Sequence, residues 1–440
     1  MRSASSTNHV RTKGKIWKKM SLKQVLTVIS VFGPAVLVSV ELFDPASIVA
    51  ATAAGAAVGL AVLWAAFYSG ILLIGIQEIS ARLGVVTGKT LAENIHQRFG
   101  PRYSRPLFIV SMFLNLATLT AEIIGLSLAF SFLFKIAYPI AVSISILLNI
   151  ILVYFTAYDK LEKILIILVT AIFLSYVYFL FSLHANFGAI AYNSLVPSLK
   201  PNSFYWAEAI IGASITPTYV ILHSGLVYEK GWAHHHEKGV EDLIKEDECE
   251  TKAEQIKERK CVRNERVDSF VSILMGTILT IIIIASAAIL IGGKSVTSFA
   301  DIAAPFSIKF GIVGVDVFAV AFAFAGILAV VTVGLGTVYS ALGFLGRESR
   351  IKARRFRLVF VLALVISAIF AFIPNQIQVM VFSQYLNGLL LPFILIPLVI
   401  ITRNKELMGK YKLGKATLAL ALATIVITTV LFIASIASML

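Results

Sequence analysis

Long apolar blocks separated by short polar or basic stretches run along nearly the whole chain. A membrane-spanning helix needs about 20 mostly apolar residues. Eleven such blocks can be marked, at 26–56, 59–80, 107–134, 138–157, 162–183, 206–228, 268–292, 315–343, 358–373, 377–401 and 416–439. None has the alternating ten-residue pattern of a transmembrane strand. The pattern predicts an all-α integral membrane protein with about 11 spans. Composition agrees: 58% of the 440 residues are hydrophobic, 14% are charged, and mean hydropathy is +0.88. That is too little charge to cover a soluble fold of this length.

The net charge of +14 raises the question of a nucleic-acid partner. Its distribution answers it. With the N-terminus in the cytosol, all but four of the 38 Lys and Arg fall on the cytosolic side, the exceptions being Lys135, Lys200, Lys294 and Lys309. This is the asymmetry of the positive-inside rule. The basicity is topological, and it places a multi-pass protein in the plasma membrane with the bilayer, and no nucleic acid, as its surroundings. Residues 1–23 read as a basic cytosolic tail, with Lys13, Lys15, Lys18 and Lys19 positioned to touch anionic lipid. They are not a cleavable signal, because the apolar stretch behind them is too long for an h-region.

The loop 229–267 is the one substantial soluble segment. Its mixed acids and bases suit a solvated helix with i,i+4 pairs. Cys249 and Cys261 both lie in this cytosolic loop, so free thiols are expected. His234, His235 and His236 lack any C-x2-C or H-x3-H spacing with them, so a flexible linker is the expectation there and not a zinc site.

Proline inside a span removes a backbone hydrogen bond where no water can replace it. Spans 1 and 6 each carry one near the centre beside polar residues: span 1 at Phe43-Asp44-Pro45-Ala46-Ser47 and span 6 at Ile215-Thr216-Pro217-Thr218-Tyr219. Span 6 opens a second set of five, so Pro45 and Pro217 break corresponding helices. That is the layout of LeuT-type 5+5 inverted repeats, in which unwound helices build a substrate site at the midplane. The chain then divides into a first five-helix repeat (24–183), a second (205–401) and an eleventh helix (414–440).

A charge at membrane depth is costly unless it is paired or serves a pathway. Asp44 stands beside the first break with the Ser47 hydroxyl three residues on, and Glu41 sits one turn earlier on the same face. Carboxylate, carbonyl and hydroxyl oxygens are hard donors of the kind that Mg2+, Mn2+ and Ca2+ prefer. Glu122 in span 3 and Glu78 in span 2 are candidates for a water or proton path, and Glu78 has Arg82 close by.

Several of these segments, in order, resemble the Nramp family of divalent metal transporters. Gly33-Pro34 followed by Asp44-Pro45 is similar to its first helix, where an Asp-Pro-Gly-Asn motif binds metal. Ser80 through Lys89, with Leu91-Ala92-Glu93, is similar to the end of helix 2 and the loop after it. Ala121-Glu122-Ile123-Ile124-Gly125 resembles helix 3. Gly212-Ala213 through Pro217, with Leu222-His223-Ser224, resembles helix 6. Ser383-Gln384, Leu391-Pro392-Phe393 and Thr402 through Gly409 resemble helix 10 and its exit. The resemblance implies Asp44 and Ser47 as side-chain ligands, a carbonyl from Ala213, Thr216 in a ligand's place, and Gln384 joining as the site closes.

The departures fall on the chemistry. Ala46 and Ser47 replace Gly and Asn, Thr216 replaces a methionine, Thr218 replaces a histidine, and Leu119 replaces an aspartate three residues before Glu122. Without the soft thioether the donors are all oxygen, which suits a cation that keeps its waters. The pattern is similar to that of the Nramp-related magnesium transporters. The expected function is secondary-type transport of Mg2+ and/or Mn2+, with weak or absent proton coupling, by a chain that works as a monomer. The metal ion is cargo and no cofactor is implied. The alternatives are a proton-coupled Mn2+/Fe2+ transporter of the same family, a LeuT-fold carrier of an organic solute, and a non-transporting sensor. No nucleophile–base pair, phosphate loop or zinc protease motif points to an enzyme.

Overall fold

Proline, asparagine and glycine decide where these helices start and stop. The computed structural model describes residues 43–155, 174–182, 185–198, 203–229, 252–351 and 353–437. Asp44 has the extended backbone (φ −70°, ψ 158°) that a following proline imposes. Pro45 then opens α1 (Pro45–Val58) at the first helical position, where its missing N–H costs nothing. Gly59, at φ +65°, and a 3-10 turn over Gly59–Val62 lead into α2 (Leu63–Thr87). A capping box between Thr90 and Glu93 starts the short α3 (Leu91–Phe99), and Gly100 passes the chain to α4 (Pro101–Phe134). Then come α5 (Tyr138–Phe155), α6 (Leu174–Ser182) and α7 (Phe187–Leu195).

The second half begins with α8 (Phe204–Ser214) and α9 (Pro217–Glu229), separated by Ile215 and Thr216. It continues with α10 (Lys252–Ile291), the one-turn α11 (Phe299–Ile302) and α12 (Ala304–Phe344). The last elements are α13 (Arg354–Phe370), α14 (Gln376–Thr402), the one-turn α15 (Lys405–Met408) and α16 (Lys415–Ala437). All described residues belong to one compact unit, Gly33–Leu440.

The all-α reading holds: the described residues contain helices and no strands. Seven helical segments among them are long and apolar enough to cross a membrane. Some boundaries move outward. Span 2 continues to Thr87 and span 3 begins at Pro101, because polar and basic residues at a helix end project into water while the backbone stays helical. Span 8 is preceded by an extra helical stretch from Ala304, set off by Gly311 at φ 61°. The linker reading of 229–267 changes over its last part, where α10 already begins at Lys252, as the i,i+4 charge pattern there allows. The tail 1–23, Glu41, Cys249 and His234–His236 lie outside the described residues, as do the first half of span 1 and residues 156–173 of spans 4 and 5.

Packing depends on small residues that let backbones approach. In α8–α9 the stretch 207–226 is buried throughout, whereas only 28% of the most apolar part of α16 is, which makes α16 an outer helix. A β-carbon at Gly125 of α4 would stand 2.3 Å from that of Pro45, and one at Gly212 of α8 would stand 2.0 Å from the Gln384 carbonyl oxygen of α14. Gly84 is pressed equally hard against the Ser224 carbonyl of α9. Span 6 is thus gripped tightly on both sides of its break, and α1 at its first residue.

Candidate functional site

The two breaks meet. Asp44, 1% exposed, caps α1: its Oδ1 accepts the Ser47 N–H at 2.6 Å. An aspartate is among the best N-caps, and its charge is favoured at a helix N-terminus. The Ser47 hydroxyl then crosses to α8 and donates to the Ala213 carbonyl at 3.3 Å. Ala213 is in the last turn of α8, where carbonyls have no partner within the helix. The preceding carbonyl, Gly212, accepts the Thr216 hydroxyl at 2.9 Å. Ser214 is held from the other side by Ser69 of α2, hydroxyl to hydroxyl at 2.9 Å. The start of α1 and the end of α8 therefore meet at Ser47, so the two helix dipoles present opposite ends to one another.

Glu122 of α4, fully buried, completes the acidic side. Its carboxyl approaches that of Asp44 and the N–H of Ala46. Two carboxyls packed together are held by a cation or by a shared proton. Among the described residues no group of three His, Cys, Asp or Glu comes together, so the acids here act as a pair supported by neutral oxygens.

Gln384 of α14 joins from the side. Its Oε1 accepts from Asn387 at 3.1 Å, and its Nε2, fully buried, has no hydrogen-bond partner. Asn387 in turn exchanges hydrogen bonds with Thr118 of α4. Below the break, the Thr218 hydroxyl donates to Asn115. Ser111, Asn115, Thr118 and Glu122 recur at helical spacing, so α4 turns one buried polar face to this region.

Close contacts thus link Asp44, Ser47, Ala213 and Glu122, while Thr216 bonds to Gly212, the residue before Ala213, and the Gln384 backbone packs on the same Gly212. Glu78 goes elsewhere: it pairs with Arg82 one turn on and accepts from Thr417 of α16. Sequence reasoning missed the Asn115, Thr118 and Asn387 amide–hydroxyl chain, because single Asn and Thr residues in apolar helices carry little signal on their own. It also missed Glu208, a fully buried acid in the first half of α8. A cavity of about 310 Å³ lies away from both breaks, between Lys89–Gln97 and Gly346–Arg350, where Glu93 accepts from the Ser349 N–H and hydroxyl.

A sequence model of the Nramp family (natural resistance-associated macrophage protein-like) matches residues 35–438. The chain is 25% identical over 394 residues to "Divalent metal cation transporter MntH" of Brucella suis, covering 87% of this chain and 82% of that one. Among solved structures it resembles a manganese transporter of Eremococcus coleocola, with a TM-score of 0.70 at 21% identity over 95% of this chain and 88% of that one. It also resembles the inward-facing form of Mhp1, with a TM-score of 0.55 at 15% identity over 92% and 88% of the two chains. These structural likenesses establish the fold.

Proposed function

The chain belongs to the Nramp family, and from that premise we propose that it carries divalent metal ions across the membrane through the site between the breaks at Pro45 and Pro217. Relatives named divalent metal cation transporters support the class of cargo. The observation that carries the reading is Ser47 joining the two helix ends, its N–H on the Asp44 carboxylate and its hydroxyl on the Ala213 carbonyl, which gathers hard oxygens at one place.

Asp44 supplies charge, Ser47 and Ala213 neutral oxygens, and Gln384 a side-chain carbonyl that closes on the ion. Thr216 adds no sulfur, so nothing in the donor set favours a late transition metal over a hydrated hard cation. Mg2+ and/or Mn2+ are the ions that fit. The polar groups at Asn115, Thr118, Thr218 and Asn387 do not titrate near neutral pH, and a row of such groups gives a proton no residue to rest on. That favours weak or absent proton coupling.

One contact favours a second reading. Glu122 lies against Asp44, so a proton on that pair can be displaced by an arriving cation, which would couple the two fluxes.

Uptake into proteoliposomes decides between them. Mg2+ and Mn2+ uptake that saturates, with internal pH unchanged, supports the uncoupled reading. Mn2+ uptake with internal acidification and no Mg2+ flux supports the coupled one. Absence of any divalent flux would overturn both.

A further inference from the structure

Glu208 of α8 takes no part in the site described above, yet it is the least explained polar group in the span. It is 0% exposed, and neither Oε1 nor Oε2 has a hydrogen-bond partner. A buried polar group without a partner is costly, and a buried charge more so. At membrane depth such an acid marks a pathway or a transient partner.

Its surroundings narrow the partner. Glu208 packs against Gly388 of α14: a β-carbon at 388 would stand 3.0 Å from Oε1, 3.1 Å from Cγ and 2.4 Å from the Glu208 carbonyl oxygen. Glycine at 388 therefore leaves the recess in which the carboxyl lies. One turn along α14 from this recess is Gln384, whose Nε2 is also buried and unpartnered. One turn along α8 is Gly212, pressed on the Gln384 carbonyl. Five residues along α8 is Ala213, about 7–8 Å along the helix axis from Glu208 by the rise per residue. The same two helices that offer Ala213 and Gln384 to the break thus carry a lone carboxyl on the side away from the basic loop after α9. No Lys or Arg lies within α8 to pair with it.

We infer that Glu208 is a second cation-holding carboxylate, an outer waiting position for a divalent metal ion on its way to Asp44. The inference rests on reading the two breaks as a divalent-cation path. A single carboxylate with few protein oxygens around it holds a divalent ion weakly, as a waiting position requires.

Mn2+ binding to the purified full-length protein in detergent tests it by isothermal titration. Wild type is expected to bind in two steps. Glu208→Gln, equal in shape but uncharged, should lose the weaker step and keep the stronger. Glu208→Asp, which sets the same charge one methylene back, should keep both, the weaker at reduced affinity. Two unchanged steps in Glu208→Gln would overturn the inference. Equal loss in Glu208→Gln and Glu208→Asp would mark a packing role and also overturn it.

Asp44→Asn separates the two readings. It should lose the stronger step alone, and retention of both steps there would defeat the central site while leaving the Glu208 result to stand by itself. In initial-rate uptake, Glu208→Gln should raise KM for Mn2+ by about tenfold, the equivalent of about 1.4 kcal/mol. An unchanged KM would overturn the inference.

Discussion

Asp44 performs two tasks that chemistry can separate. As an N-cap it needs only an oxygen to accept the Ser47 N–H, and asparagine caps as well as aspartate. As a cation ligand it needs charge. Asp44→Asn is therefore expected to keep the melting temperature within a few degrees of wild type while metal uptake falls to the protein-free background. Thermal denaturation and proteoliposome flux, measured on the same preparation, check both halves. Thr216 tests donor softness in the same way. Its hydroxyl is spent on the Gly212 carbonyl, so it is a spacer as much as a donor. Thr216→Met should bring a thioether to the site and shift the ratio of Mn2+ to Mg2+ uptake by about tenfold toward Mn2+. An unchanged ratio would mean that softness at this position does not set the choice of ion. Asp44, Pro45 and Pro217 were legible in the sequence because charge and proline are rare in spans. Glu208 was not, since burial of an acid near a predicted helix start depends on what packs over it.

The helices meet through glycines whose role appears only in three dimensions. Gly212 sits where α8 and α14 touch, and a β-carbon there would stand 2.0 Å from the Gln384 carbonyl oxygen and 2.3 Å from the Gly388 nitrogen. Both are backbone atoms, so no side chain can swing away. Gly212→Ala should cost about 1–3 kcal/mol or more through overpacking, read as a lower melting temperature in detergent. It should also weaken metal binding, because Gln384 is displaced with its helix. A variant as stable as wild type would show that α14 is free to shift. Element type was readable from the apolar period and the two breaks, and the boundaries less so. Apolar content cannot locate an end such as Thr87 or Lys252, where the helix runs on with polar residues and its ladder of hydrogen bonds continues regardless.

At the scale of the molecule, the proposed site would join parts distant in sequence: α1, α4 and α8 meet at the break, and α14 packs on α8 at Gly212. A ligand that binds only when all four are assembled stabilises the assembly by mass action. Mn2+ at a hundred times its dissociation constant should add about 2.7 kcal/mol to stability, seen as a rise in melting temperature that Asp44→Asn abolishes. Equal rises in both would place the stabilising ion elsewhere. The all-helical class and the multi-pass character were written in the sequence, because a bilayer demands long apolar helices. The α4 polar face joining Asn115 to Thr218 was not, since it exists only once two helices are placed side by side. The hydrogen bond from Ser47 to Ala213 has a kinetic meaning as well. The proton of that hydroxyl rests on the same carbonyl an ion would claim, so it acts as an internal competitor. On the proposed path, rotating the hydroxyl away would cost an arriving ion about 1 kcal/mol, the net worth of one such bond, returned when the ion leaves and the bond re-forms. Binding at the proposed site would thereby be made a little shallower and release a little quicker, which favours turnover over tight capture.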